Sequence, residues 1–119
     1  MATAKYMVNK EVITDSPVKL ALRVQFLRES NIYQGHFPDF AITPGVVLID
    51  FVMKCLTDKF PGVFLSGIPR LKFISPIIPD IWVELQLTCE TGGRRWHFAF
   101  MHQENCCSRG VLDLKGVPT

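Results

Sequence analysis

The 119-residue sequence lacks the features that mark membrane and exported proteins. Its most continuous apolar segment, Val46 to Met53, is interrupted by Asp50 and is far shorter than the roughly 20 residues that cross a bilayer. The first six residues lack the apolar core of a signal peptide. We therefore expect no membrane span and a cytoplasmic location.

The sequence has four cysteines, and their spacing excludes the common metal-binding arrangements. The sequence has no Cys-X-X-Cys pair, and adjacent cysteines are poor disulfide partners. A set made of His36, Asp50 and another histidine matches no zinc signature either. We expect no metal or cofactor and four free thiols, one in the core at Cys55 and three on strands, at Cys89, Cys106 and Cys107.

The excess of positive charge is also small. Thirteen Lys and Arg residues face eleven Asp and Glu residues, which gives a net charge of +2. Nucleic-acid-binding domains carry a much stronger basic footprint, so we expect no nucleic-acid partner. The hydrophobic fraction of 48% is enough for a real core, and the length fits a single domain over residues 1–119.

Period-two alternation of apolar residues predicts half-buried strands before and after one helix in the sequence. The helix starts near Pro44, with Thr43 as its N-cap, and Pro61-Gly62 stops it after Lys59. An antiparallel sheet wrapped around this helix covers the apolar faces of both, which is an α+β architecture. The predicted strands are residues 18–27, 68–74, 81–90, 94–103 and 106–114, with a further edge strand at 8–13.

The helix is apolar nearly all round for two turns, apart from Asp50. Such a helix is buried, and burial of a carboxyl group without partners favours its protonated form and raises its pKa. A protonated carboxyl can serve as a general acid. The alternative is that Asp50 faces solvent through a gap in the packing.

A histidine, His36, lies fourteen positions before Asp50, on the loop that leads into the helix. Gly35-His36-Phe37-Pro38, then Pro44-Gly45-Val46 and the acid at position 50, resembles the hot-dog-fold 3-hydroxyacyl-thioester dehydratases of fatty acid synthesis. The surrounding residues are most similar to the small dehydratases of aryl polyene biosynthesis. Weaker similarities at Lys72-Phe73 and Gly110 extend the resemblance over most of residues 18–115.

The resemblance implies a role for each of these residues. His36 would be the base that removes the C2 proton, and Asp50 the acid that protonates the leaving hydroxyl. The backbone N–H of Gly45 would bind the thioester oxygen, and substrate would contact Phe37, Pro44 and Val46. The substrate would be a thioester of acyl carrier protein or CoA, and the protein would be a homodimer, or a heterodimer with a related dehydratase, with His36 and the acid contributed by different chains.

Taken alone, these residues also have simpler interpretations. His36 could be a loop histidine packed on Phe37, and Gly45 could merely suit the start of a helix. His97 and His102 could be surface or interface residues. The turn at Arg94-Arg95 could be solvated. It could also contact a phosphopantetheine group or a carrier protein, as could Arg70 and Lys72.

The sequence departs from the family pattern at three places. Asp39 and Ala41 replace a Gly and a Pro in the histidine loop, and Lys54 replaces a Gln one turn beyond the acid. Asp80 follows Pro79 where a Pro-Gly-Asp turn is usual. The alternatives to a dehydratase are a hot-dog thioesterase, in which Asp50 activates water, and a non-catalytic acyl-thioester-binding subunit of a heterodimer.

Overall fold

The computed structural model describes residues 7–29, 42–90 and 92–117. These residues form one antiparallel six-stranded sheet, in the order β1-β2-β4-β5-β6-β3, with one helix packed against one face. The predicted α+β architecture, a sheet wrapped around a helix, is confirmed. The elements are β1 (Val8–Ser16), β2 (Lys19–Phe26), α1 (Gly45–Lys59), β3 (Phe64–Phe73), β4 (Trp82–Cys89), β5 (Arg95–His102) and β6 (Asn105–Lys115).

The face of the sheet that α1 covers, here called the inner face, carries the alternating apolar residues that the sequence predicted. Every second side chain points to this face because successive residues of a strand alternate between faces. Val18, which was predicted to belong to the same row, instead lies in the turn before β2 and is 59% exposed. On β2, β4 and β5 the buried residues of the inner face are Leu20, Leu22, Val24, Phe26, Val83, Leu85, Leu87, Trp96, Phe98 and Phe100.

The helix buries one stripe of its surface against this inner face. The stripe repeats in pairs every four residues, which is the spacing of one side of an α-helix. Phe51 meets the edge of Phe26, with ring centroids 5.5 Å apart. The stripe consists of Val47, Leu48, Phe51, Val52, Cys55 and Leu56.

Among the described residues no helix is both long and apolar enough to span a membrane.

The cysteines lie where the sequence placed them. Cys55 is in the core, and the other three are on β4 and β6; all four are free thiols. Burial raises the pKa of the Cys55 thiol to about 11, so this group stays protonated near neutral pH and packs as a small apolar side chain.

β3 is an edge strand that begins at Phe64, four residues earlier than predicted. It contains Pro69, which has no N–H for a sheet hydrogen bond. The register between β3 and β6 shifts between Gly67 and Arg70, on either side of this proline. An edge strand with an irregularity is where a sheet tolerates proline.

The turn before β4 has Asp80 in a conformation that is unusual for a residue other than glycine. Asp80 has φ 70°, a left-handed conformation that favours glycine but that aspartate also adopts. Its Oδ1 accepts the N–H of Arg28 at 3.0 Å, and its own N–H donates to Phe26 at 2.7 Å. Asp80 therefore ties the end of β2 and the following Arg28 to the start of β4.

We predict that Leu56→Ala lowers the free energy of unfolding by about 2–5 kcal/mol, because Leu56 is fully buried between helix and sheet and the change leaves a cavity. Chemical denaturation would measure this loss. Val18→Ala, at an exposed apolar position, is the control and should change stability by less than about 0.5 kcal/mol. Equal losses in the two variants would contradict the described packing.

Candidate active site at the start of the helix

The helix begins one residue later than the sequence predicted. Pro44, expected at the first helical position, is the N-cap, with an extended backbone (φ −60°, ψ 142°), and Gly45 is the first residue of α1. The carbonyl of Pro44 accepts the N–H groups of Val47 at 3.0 Å and Leu48 at 3.3 Å. Proline suits this cap because its fixed φ is already that of an extended residue.

Thr43, the predicted N-cap, lies one residue before the observed N-cap, Pro44. It is 4% exposed, and its backbone N–H donates to the carbonyl of Ile77 at 2.8 Å. This bond fixes the entry of the helix against the segment between β3 and β4. The prediction of Thr43 as N-cap was wrong because this tertiary bond holds the threonine outside the helix.

The start of α1 and the residues after β3 enclose a cleft of about 520 Å³, here called the helix-start cleft. A volume of this size is within the range that small-molecule sites occupy. Among the described residues, none pairs with the backbone N–H of Gly45, and the first turn of the helix contains no acidic side chain. The lining residues are Ile42, Thr43, Pro44, Gly45, Leu48, Phe73, Ile74, Ser75, Pro76 and Ile77.

Phe73 stands directly against Gly45. A Cβ atom added to Gly45 would lie 2.4 Å from Cζ of this ring, closer than such contacts occur. Gly45 therefore has a second reason to be glycine, because its missing side chain leaves room for the Phe73 ring. The ring is 53% exposed, so it forms a wall of the cleft that can turn towards solvent.

Asp50 lies on the side of α1 opposite the core. Its side chain is 48% exposed, and Oδ2 is 3.2 Å from Nζ of Lys54, one turn further along the helix. The sequence had predicted a buried carboxyl, and for the single chain this was wrong. The reason is that the sheet covers only one side of the helix.

The exposed side of α1 is nevertheless largely apolar around Asp50. Val46, one turn before Asp50, is 76% exposed, and Ile49 and Met53 are only partly buried. We call Val46, Ile49, Asp50, Met53 and Lys54 the outer helix stripe. Exposed apolar groups that surround a carboxyl are typical of a surface that another molecule covers.

The predicted site residues thus fall into three groups. Gly45 and Pro44 line the helix-start cleft, and Val46 and Asp50 lie on the outer helix stripe. His36 and Phe37 lie outside the described residues. Asp50 is five residues along the helix from Gly45, which corresponds to about 7.5 Å of axial rise.

Two of the weaker candidates, His97 and Arg95, are on the outer face of the sheet, away from the helix. His97 Nε2 lies 2.7 Å from a carboxylate oxygen of Glu90. Arg95 makes two hydrogen bonds to Asp113, at 2.6 and 2.9 Å, which lower the pKa of that carboxyl and raise the pKa of the guanidinium. Both side chains therefore have acidic partners at the surface, Glu90 for His97 and Asp113 for Arg95.

Sequence reasoning missed Phe73 as a wall of the cleft. Alternation shows that a strand residue faces inwards, but not which helix residue it meets. The contact with Gly45 depends on where β3 runs relative to the helix start. No pattern in the sequence specifies that position.

Comparison with solved structures shows the fold. The heterocomplex of dehydratases ApeI:P from Xenorhabdus doucetiae superposes with a TM-score of 0.77 at 23% identity, over 95% of this chain and 98% of that one. An uncharacterized protein from Erwinia carotovora subsp. atroseptica gives a TM-score of 0.73 at 22% identity, over 96% and 97% of the two chains. The fold is the hot-dog fold.

Sequence comparison then assigns the family. The profile of the ApeI-like family, described as ApeI dehydratase, matches residues 11–111, and the chain belongs to this family. The 3-hydroxyacyl-(acyl-carrier-protein) dehydratase FabZ of Rhodopseudomonas palustris is 33% identical over 78 residues, and that of Pelotomaculum thermopropionicum is 32% identical over 84. These alignments cover 56% and 60% of this chain, and the chain spans only 51% and 60% of the two relatives.

We predict that Gly45→Ala displaces the Phe73 ring and narrows the helix-start cleft without unfolding the protein. The ring end is flexible and half exposed, so the stability cost should stay within about 1–3 kcal/mol. In a Phe73→Ala background, the same Gly45→Ala change should be neutral or stabilising, because alanine is the better helix former. A double-mutant cycle of unfolding free energies measures the coupling, and additive effects would contradict the contact.

Proposed function

We propose that this protein dehydrates 3-hydroxyacyl thioesters to trans-2-enoyl thioesters, with His36 as base and Asp50 as acid. The observation that carries the proposal is the position of Asp50, exposed among apolar side chains about one and a half turns beyond a cleft at the start of the helix. Membership of the ApeI-like dehydratase family supports the reaction class. The carrier named for the FabZ relatives supports acyl carrier protein as the thioester carrier here.

The reaction needs two proton transfers and stabilisation of one developing negative charge. A base removes the C2 proton beside the thioester carbonyl, and an acid protonates the hydroxyl that leaves C3. Neutral imidazole suits the first task, because it accepts and returns a proton near neutral pH. His36 is assigned to it from the Gly-His-Phe-Pro motif.

The developing enolate oxygen needs a hydrogen-bond donor placed in advance. The N–H of Gly45 is the candidate, since it lies at the positive end of the helix dipole and faces no partner among the described residues. Pro44 and Phe73 would hold the thioester end in the cleft, and Val46 would contact the acyl group from the outer helix stripe.

The carboxyl of Asp50 can be part of a closed site only if a second molecule covers it. Its own chain leaves the side chain 48% exposed and beside Lys54. A partner chain that covers the outer helix stripe would exclude water from the carboxyl and bring its own histidine loop close to it. We infer that the site forms between two chains, with His36 of one chain and the acid of the other.

The second candidate function is that of a non-catalytic subunit. The ion pair between Asp50 and Lys54 favours this alternative. Lys54 occupies the position where a Gln is common in the family, and the carboxyl of Asp50 must leave the lysine before it can protonate a substrate. That the ApeI:P relative was solved as a heterocomplex is compatible with this alternative. A thioesterase, in contrast, would make little use of His36.

We predict that His36→Ala and Asp50→Asn each lower dehydration by about 10²-fold or more, since each removes one proton transfer. The assay follows enoyl absorbance and thiol release with 3-hydroxybutyryl and crotonyl thioesters, on both CoA and acyl carrier protein. Asp58→Asn is the matched control, because Asp58 is an exposed acid two turns further along the same helix, and this change should leave the rate unaltered.

The same assay separates the alternatives. Thiol release that persists in His36→Ala would indicate that the protein is a thioesterase and not a dehydratase. A wild-type chain without turnover that gains activity on addition of a related dehydratase chain would establish the binding subunit. Equal loss of activity in Asp50→Asn and Asp58→Asn would contradict the role assigned to Asp50.

A further inference from the structure

The outer face of the sheet carries a second cleft, of about 520 Å³, between β3, β6 and β5. Three cationic side chains surround it: Arg70 and Lys72 from β3, and Arg109 from β6. Val111 and Ala99 form its apolar floor. We call it the cationic cleft. It is separated from the helix-start cleft by the sheet itself, because Lys72 and Phe73 are successive residues of one strand and point to opposite faces.

The register brings the three cations together. Lys72 lies directly opposite Arg109, and Arg70 lies opposite Val111, two residues further along β6. Like charges at directly opposite positions of two strands, about 5 Å apart, repel and destabilise the pairing. The two strands therefore hold a repulsive pair of side chains in place.

No acidic group among the described residues relieves this repulsion. The acids nearest in the sheet are engaged elsewhere, Asp113 with Arg95 and Glu90 with His97 at the margin of the cleft. Arg70, Lys72 and Arg109 make no ion pair within the described ranges 7–29, 42–90 and 92–117. An anion would supply the missing counter-charge.

The shape and the donors of the cleft select the kind of anion. Two guanidinium groups offer planar pairs of N–H donors that match the oxygens of a phosphate group, and the lysine adds a point charge. The apolar floor can support an organic body attached to that phosphate. We propose that the cationic cleft is a binding site for a phosphate group, and this proposal does not depend on the dehydratase activity.

Titration calorimetry at low salt tests the proposal with three probes: adenosine 3′,5′-bisphosphate, inorganic phosphate and adenosine. We expect the bisphosphate to bind and adenosine not to bind. Tighter binding of the bisphosphate than of inorganic phosphate assigns the site to phosphate esters, and equal binding assigns it to free phosphate. Failure of both phosphate probes to bind at millimolar concentration would overturn the proposal, even if an acidic peptide bound.

Matched variants locate the site. The double variant Lys72→Gln/Arg109→Gln should lower the affinity for the bisphosphate at least about tenfold, because it removes two of the three cations. The double variant should keep or raise the Tm of the unliganded protein, since it relieves a like-charge pair. Lys10→Gln/Lys19→Gln removes the same charge from exposed positions on β1 and β2 and should change affinity less than about twofold.

Amide NMR shifts supply the structural readout. The bisphosphate should shift signals of Leu71 and Gly110, which line the cationic cleft, and leave those of Thr43 and Leu48, which line the other cleft, unchanged. Equal weakening by the two double variants, or shifts confined to the helix-start cleft, would overturn the proposal.

Discussion

The structure depends on the packing of one stripe of α1 against the inner face of the sheet. That stripe, with Phe51 against Phe26 and Leu56 fully buried, joins the helix to the strands in one core. Burial of apolar area of this kind is the dominant favourable term in folding. A single sheet can cover only one side of a helix, however, and α1 is apolar on both sides.

The site follows from this constraint. The helix start is fixed by the bond from Thr43 to Ile77 and by the fit of Phe73 against Gly45. These contacts expose the first N–H of the helix beside a cleft. The uncovered side then presents Asp50 among apolar residues. One helix therefore supplies both a candidate oxyanion donor and a candidate acid, and the acid is left for a partner to enclose.

The sequence predicted the fold well because the fold depends on local periodicity. Alternation in β2, β4 and β5 specified which side chains face the helix, and Pro61-Gly62 marked its end. Prediction was less accurate wherever a distant contact decided the outcome. The Thr43–Ile77 bond holds Thr43 outside the helix, so that Pro44 is the N-cap.

The residues of the candidate site are a prediction from the motif, and the structure adds the environment of those that it describes. The motif identified Gly45 and Asp50, and the structure places them on one helix about 7.5 Å apart along its axis. The burial expected for Asp50 was wrong, because an all-round apolar pattern does not show whether the second side is covered by the same chain or by another. The role of His36 remains a proposal from the motif.

The central claim is that the active site forms between two chains that cover each other's outer helix stripe. Its most direct test is to unfold and refold His36→Ala and Asp50→Asn chains together and to measure dehydration. Random pairing makes half of the dimers mixed, and each mixed dimer has one intact site and one site that lacks both groups. Since every wild-type dimer has two sites, about a quarter of the wild-type activity should return. His36→Ala refolded with a chain that carries both substitutions is the control, and it should stay inactive. An active wild type whose mixed variants stay inactive after refolding would contradict the claim.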